Sequence, residues 1–171
     1  MKHIPDEFND IVNDNFWDLI MDVNSIKKYK SKGYSALHRT AKEWFHKFIR
    51  LRDTDDNGYG YCIVTGQPLI YGTKSAQAGH YFAAGKHKNL EFNEDNVHLQ
   101  SLQDNYHGHD FALYTINLEK KIGTEKLKKL QQLALMYKRQ KFKEDRFLMI
   151  EIIETYKAKV KELAKGKMFK V

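Results

Sequence analysis

Between Tyr61 and Leu99 the chain gives up helical spacing. Four short β-like runs, Tyr61–Val64, Leu69–Tyr71, Ala78–Phe82 and Val97–Leu99, are separated by the turn chemistry of Thr65-Gly66-Gln67-Pro68 and Ala84-Gly85. On either side apolar residues recur every three or four positions, the period of a helix with one buried face. That order permits a small, irregular β region clasped between helices. The predicted fold class is therefore α+β, mainly α-helical.

The helices can be placed one by one. Ile4, Phe8, Ile11, Phe16, Leu19 and Val23 follow a Pro5-Asp6 start and predict a first helix to about Lys28, with Asp10, Asp14, Asp18 and Asp22 along one face. Ser35 reads as the N-cap of a second helix, whose Leu37, Ala41, Trp44, Phe48 and Leu51 form an inward stripe. Phe111, Tyr114, Leu118 and Ile122 share a face ahead of a Gly123 C-cap, and Thr124 reads as the cap of a helix carrying Leu127, Leu130, Ala134 and Tyr137. A last helix is expected from about Lys143 to Ala164, where Met149, Ile153, Tyr156, Val160 and Leu163 make a seam suited to a core or to a dimer contact. At 171 residues these elements fit one domain, residues 1–171, divided into N-terminal helices (1–53), a β-containing core (54–122) and basic C-terminal helices (123–171).

Charge narrows the partners. The formal net charge of +7 is uneven: nine Lys/Arg oppose two acids in residues 25–53 and sixteen oppose seven in residues 117–171, while 1–24 and 54–116 are net acidic. Two basic helical regions suit a polyanion, because each cation near a phosphate releases condensed counterions. Simple solvation of lysine-rich helices is the plainer alternative. No apolar run approaches the roughly 18 residues of a membrane span, and the acidic start does not read as a signal peptide, so a soluble, cytoplasmic protein with no membrane partner is expected. Cys62 is the sole cysteine, which excludes an internal disulfide and a zinc site built from several thiolates. Any metal must rest on oxygen and nitrogen ligands.

Chemistry is concentrated in Ala78-Gly79-His80-Tyr81, in Phe92-Asn93-Glu94-Asp95-Asn96-Val97-His98 and in Asp104-Asn105-Tyr106-His107-Gly108-His109. Asn96 follows His80 by 16 residues and Asn105 follows Asn96 by nine, while the pattern passes from β-like to helical. A histidine on a first strand, an asparagine in the connection and a metal ligand on the next helix is the order of a ββα-metal, or His-Asn-His, nuclease. Spacing alone is a weak signal, since histidine and asparagine are common in loops. His80 also suits a hydrogen-bonded core position, Asn96 and Asn105 suit turns or caps, and His98, at an alternating β position, suits a structural role.

Several ordered blocks sharpen the reading. Trp44-Phe-His-Lys-Phe-Ile-Arg-Leu-Arg-Asp53, Ala78-Gly-His-Tyr81, Leu90-Glu-Phe-Asn-Glu-Asp-Asn-Val-His98, Asn105-Tyr-His107, Leu118-Glu-Lys-Lys-Ile-Gly-Thr124 and Tyr156-Lys-Ala-Lys-Val-Lys-Glu-Leu163 together resemble the phage NinG/Rap family, from about Thr40 to Leu163. The resemblance implies a phage- or prophage-encoded recombination endonuclease that cuts branched DNA, such as a Holliday junction or a strand-invasion loop, with a divalent cation. It also implies departures. Family members carry two Cys-x-x-Cys pairs around a structural zinc, where this chain has Cys62-Ile-Val-Thr65 and Ser101-Leu-Gln-Asp104, so structural zinc is not expected. They tend to have Asp where this chain has Gln77.

The expected site follows. Neutral His80 would act as general base on water, with Asn105 first and His107 second as protein ligands of Mg²⁺ or Mn²⁺, and Asn96 tying the β loop so that His80 points correctly. Arg39, Lys42, Lys47, Arg50, Arg52, Lys86, His87, Lys88, His109, Lys126, Lys128, Lys129, Lys138, Arg139, Lys141 and Lys143 are the expected DNA contacts. Symmetrical junction cutting would require a homodimer. The competing expectation is a non-catalytic, structure-specific DNA-binding protein on the same scaffold.

Overall fold

The structure is a computed structural model that describes residues 27–137 and 145–171. The expected first helix with its aspartate face, and Lys138, Arg139, Lys141 and Lys143, lie outside the described residues. Within them the elements run α1 (Tyr34–Arg52), β1 (Tyr59–Tyr61), β2 (Pro68–Ile70), β3 (Ala76–His80), β4 (Val97–Ser101), α2 (Leu102–His107), α3 (Phe111–Ile122), α4 (Thr124–Tyr137) and α5 (Arg146–Ala164), with a 3-10 turn at Lys88–Leu90. The protein is mainly helical α+β. No described helix is long and apolar enough to cross a membrane.

Two apolar clusters organise the chain. In the first, α1 packs on α5 through Leu37, Ala41, Phe45, Phe48 and Ile49 against Met149, Ile153, Tyr156 and Val160, and Ala78 and Val97 of the hairpin join them. Each large side chain buried there contributes about 1.5–3 kcal/mol. The α5 seam is thus a core seam. Phe45 and Ile49, absent from the expected stripe, are fully buried, whereas Trp44 lies at the cluster's edge; α1 buries a wider arc because it meets α5 and the hairpin at once. The second cluster joins Cys62, Val64, Leu69, Leu90 and Leu99 to Tyr114 and Leu118 of α3 and Leu127, Leu130 and Ala134 of α4.

The β region is two separate antiparallel pairs among the described residues, β1 with β2 and β3 with β4. In the second pair Ala76 faces Ser101, Ala78 faces Leu99 and His80 faces Val97. Element ends differ from the expected ones for local reasons. The apolar run Cys62-Ile63-Val64 is no strand: Gly66 N–H bonds to the Cys62 carbonyl at 2.8 Å, closing a turn in which Gly66 takes φ +70°. Ser35 lies inside α1, whose N-cap is Gly33 without a side-chain bond. Thr124 begins α4, and its hydroxyl donates to Glu119 at 2.8 Å. Asp145 caps α5 by accepting from Leu148 N–H at 2.9 Å, so that helix starts at Arg146 rather than Lys143.

Candidate active site

His80 closes β3, and the strand is anchored because Ala78 and its neighbour Val97 sink into the α1–α5 cluster. Its Nε2 lies 3.0 Å from the carbonyl oxygen of Glu91. A carbonyl only accepts, so the neutral ring carries its proton on Nε2 and its lone pair on Nδ1. Nδ1 is neither hydrogen-bonded within the described residues nor fully buried. Burial pushes the His80 pKa down, the Glu91 carbonyl and charge oppose this, and Lys42 and Lys88 push it further down. The imidazole is neutral at pH 7.

Helix α1 brings a row of side chains to this ring. His38, Lys42 and His46 stand four residues apart and share one helical face. The His46 ring meets that of His80 edge to face at 5.7 Å, and its buried Nε2 has no hydrogen-bond partner among the described residues. Burial first, then His80, Lys42 and Arg50, lower its pKa to about 3. His38 Nε2 donates to Glu91 Oε2 at 3.1 Å and Lys88 Nζ to the same oxygen at 2.9 Å. Sequence reasoning singled out neither His38 nor His46. Their four-residue interval was visible, but only the packing of α1 beside β3 turns it toward His80.

Asn96 is fully buried and laces the loop beyond His80: its Oδ1 accepts from Phe82 N–H at 2.8 Å, and its Nδ2 donates to the carbonyls of Phe82 at 3.0 Å and Leu90 at 2.9 Å. Leu90 precedes the residue that holds His80. Asn96 therefore fixes His80 through backbone rather than by touching its ring.

Asn105 and His107 stand exposed on α2, and neither side chain hydrogen-bonds within the described residues. No hydrogen bond, ion pair or ring contact among the described residues joins them to His80. His109 is drawn to the opposite face of the hairpin, where Gln100 Nε2 donates to its Nδ1 at 3.1 Å and its ring meets Tyr114 at 4.8 Å. Gln100 lies across Gly79, where a Cβ would fall 1.6 Å from its Oε1. His98 is structural: its Nε2 donates to the Asp95 carbonyl at 3.0 Å and its Nδ1 accepts from Arg52 at 3.0 Å.

Arg52, expected on DNA, is bound inside instead. It forks onto both oxygens of Asp53 at 2.8 and 3.0 Å and donates to the carbonyls of Glu94 and Val97, each at 2.9 Å. Asp53 also receives Lys121 at 2.8 Å and the Leu99 N–H at 2.8 Å. Burial would raise the Asp53 carboxyl, but the neighbouring His98, the bonds from Arg52 and the charges of Arg52 and Lys121 hold it well below the usual range. The other expected cations are divided. Arg39, Lys42, Lys86 and Lys129 are exposed; Lys47 lies over Trp44 at 5.2 Å, Arg50 is half-buried, and Lys126 and Lys128 pair with Asp95 and Glu125 at 3.4 and 3.1 Å. His87 and Lys88 are half-buried beside the 3-10 turn.

Where the resemblance implied zinc ligands, three of the four positions are joined by hydrogen bonds. Cys62 Sγ donates to Asp104 Oδ2 at 3.1 Å and accepts from Ser101 N–H at 3.3 Å, while Ser101 Oγ donates to the same Asp104 oxygen at 2.6 Å. Thr65 serves the adjoining turn, accepting from Gln67 N–H at 3.4 Å. Among the described residues no three His, Cys, Asp or Glu side chains gather closely enough to hold a metal ion.

Fold and site together define a mainly helical α+β protein in which an antiparallel hairpin and the helix α1 packed beside it carry a cluster of histidines and lysines. The chain belongs to the bacteriophage lambda NinG family: the family model described as "Bacteriophage Lambda NinG protein" matches residues 21–166. No curated protein and no solved structure matches it.

Proposed function

We propose that the chain is a DNA endonuclease that hydrolyses phosphodiester bonds in branched recombination intermediates, with His80 as general base. One observation carries this reading: the Glu91 carbonyl fixes Nε2 of a neutral His80 and leaves the Nδ1 lone pair for a water. Nδ1 takes the proton of that water, and the resulting oxygen attacks phosphorus in line as the 3′ oxygen departs. Lys42 and Lys88, whose charges act on His80, draw the phosphate toward it. A homodimer would set two such sites on a junction.

The cation of the family reading would rest on Asn105 and His107. Their exposed, unbonded side chains offer one oxygen and one nitrogen but no negative charge. Such a set fits a weakly held Mg²⁺ or Mn²⁺ that takes most of its ligands from water and phosphate. When bound, the ion stabilises charge on the phosphoryl and leaving oxygens.

A second reading, a non-catalytic protein that binds branched DNA, is favoured by one observation. Gln77 stands where the family tends to have Asp, and its Nε2 donates to the Lys74 carbonyl at 2.7 Å. Among the described residues the carboxylate whose charge acts on His80 is then Glu91, which His38 and Lys88 already hold.

Cleavage of branched and linear DNA with Mg²⁺, Mn²⁺ or chelator separates the two. The enzyme reading expects metal-dependent cutting that is lost in His80→Ala and weakened in Asn105→Ala while DNA binding persists. Cutting that survives His80→Ala removes the base assignment, and tight binding without cutting in any metal selects the second reading.

A further inference from the structure

Beyond His80 the chain turns into a shallow cavity of about 360 Å³, bounded by Tyr81 and Phe82, by Phe111 at the start of α3, and by Gln131 and Leu135 of α4, with His87 at its side. Its volume lies at the lower end of the roughly 300–1,000 Å³ of small-ligand pockets. The floor is a set of rings. Tyr81 and Phe111 stack at 4.6 Å and 15°, Phe82 meets Tyr81 edge-on at 4.6 Å, and His87 lies 5.1 Å from Phe82. Tyr81 is held from below, its hydroxyl 2.8 Å from Thr115 Oγ1, whereas Phe111 is half exposed. A side chain of that size left half open at a helix start adds little to the core.

The lining selects for a flat aromatic group with a hydrogen-bonding edge. The Tyr81–Phe111 pair, with His109 near-parallel to Phe111 at 6.5 Å, forms a platform of rings that a further planar ring can extend over the half-exposed Phe111, and the Gln131 carboxamide offers both a donor and an acceptor to such a ring's edge. The rim selects for a negative attachment. Lys86 and Lys88 flank His87 in the chain and Lys128 stands one turn before Gln131 on α4; Lys86 is exposed, while Lys88 and Lys128 also pair with Glu91 and Glu125. A greasy helix from a protein partner would not call for the polar Gln131 and His87 in the lining or for the exposed Lys86 next to His87. Tyr81 and Phe82 follow His80 directly in the chain, although Tyr81 turns to the α3 side while His80 faces His46 of α1, so the cavity and the His80 ring occupy adjoining positions of one strand end.

We propose that this cavity receives a single unstacked nucleobase of the DNA substrate. The inference rests on the nuclease reading for its choice of DNA and adds a substrate class to it. Bases in an intact duplex are stacked on both faces and cannot enter, so the preferred substrate has unpaired nucleotides beside the cut, as at a branch point, a loop or a single-stranded gap.

The test uses the protein in chelator with two duplexes containing 2-aminopurine, one placing it in a central unpaired loop and one in a paired context. Stacking on Phe111 quenches the probe in the loop, and the loop duplex binds more tightly than the paired one. Phe111→Ala abolishes the quench and lowers loop affinity by about tenfold or more with paired-duplex affinity unchanged, while Phe111→Tyr retains both. Gln131→Leu, which keeps the bulk and removes the polar edge, retains the quench and weakens loop binding. Thermal melting of each variant checks its fold. An unaltered quench in Phe111→Ala, or an equal loss of affinity for both duplexes, overturns the proposal. Metal-dependent cutting without any quench removes the pocket and leaves the nuclease; quenching without cutting removes the nuclease and leaves the pocket. Failure to bind either duplex removes both.

Discussion

His46 of α1 and His80 of β3 present their rings edge to face at 5.7 Å, and neither gains a proton easily there. Burial disfavours the charged form of each, and a charge on one would repel a charge on the other. Both are therefore neutral in the folded protein across a range where an unfolded histidine is protonated.

Stability should consequently fall with acid. Each of these groups has a folded pKa below its unfolded value near 6.5, so its contribution is fully present above that value and is lost as pH falls toward the folded pKa. For His46 the window runs from about 6.5 down to about 3. Within it each such group weakens folding by up to about tenfold in equilibrium constant per pH unit. Urea unfolding at pH 7 and pH 5 should show a clear drop for wild type and a smaller one for His46→Leu. Equal drops would mean that His46 is not the acid-sensitive group.

Cleavage should follow the same proton with the opposite consequence for interpretation. The rate is expected to rise with pH through the lowered pKa of His80 and to be flat by neutrality, because only the neutral ring can accept a proton. His80→Ala should lose about 100-fold or more in rate. A profile still climbing steeply above pH 7 would point to a different base.

Part of this site was readable from the residues alone. His80 and Asn96 stood out because their order and spacing are local, and α3 was marked by its apolar interval and by Gly123. The row His38-Lys42-His46 was not read, since a helical histidine acquires meaning only from what packs on it, and that contact spans more than thirty residues of chain. The run expected from Tyr61 to Val64 is strand only at Tyr61 for a related reason: Cys62-Ile63-Val64 turns inward to pack Cys62 and Val64 with Leu99 of β4 and with α3 and α4. Arg52 looked like a surface cation because charge alone cannot tell a phosphate partner from a buried carboxylate.

That carboxylate, Asp53, leads to a third expectation. Its side chain is 4% exposed and compensates Arg52 and Lys121. Asp53→Ala would leave a partly buried guanidinium and a lysine without their counter-charge and would also orphan the Leu99 N–H. A loss of about 3–5 kcal/mol is expected from chemical denaturation. A loss under about 1 kcal/mol would show that water replaces the carboxylate readily.

The bonds among Cys62, Ser101 and Asp104 make a fourth. Asp104→Ala removes the acceptor of both the thiol and the Ser101 hydroxyl and should destabilise the fold by about 1–3 kcal/mol. Chelator should leave the unfolding midpoint of wild type where it is. A midpoint that drops in chelator and recovers with zinc would show that this cluster binds metal after all.

The three bonds of Asn96 have a wider meaning. One carboxamide clips together Phe82, which forms a wall of the ring-lined cavity, and Leu90, which sets the carbonyl next in line against His80. If the cavity takes a base and His80 a proton, both tasks are geared to this single hinge pin, and an alteration at this position would throw both out of alignment together.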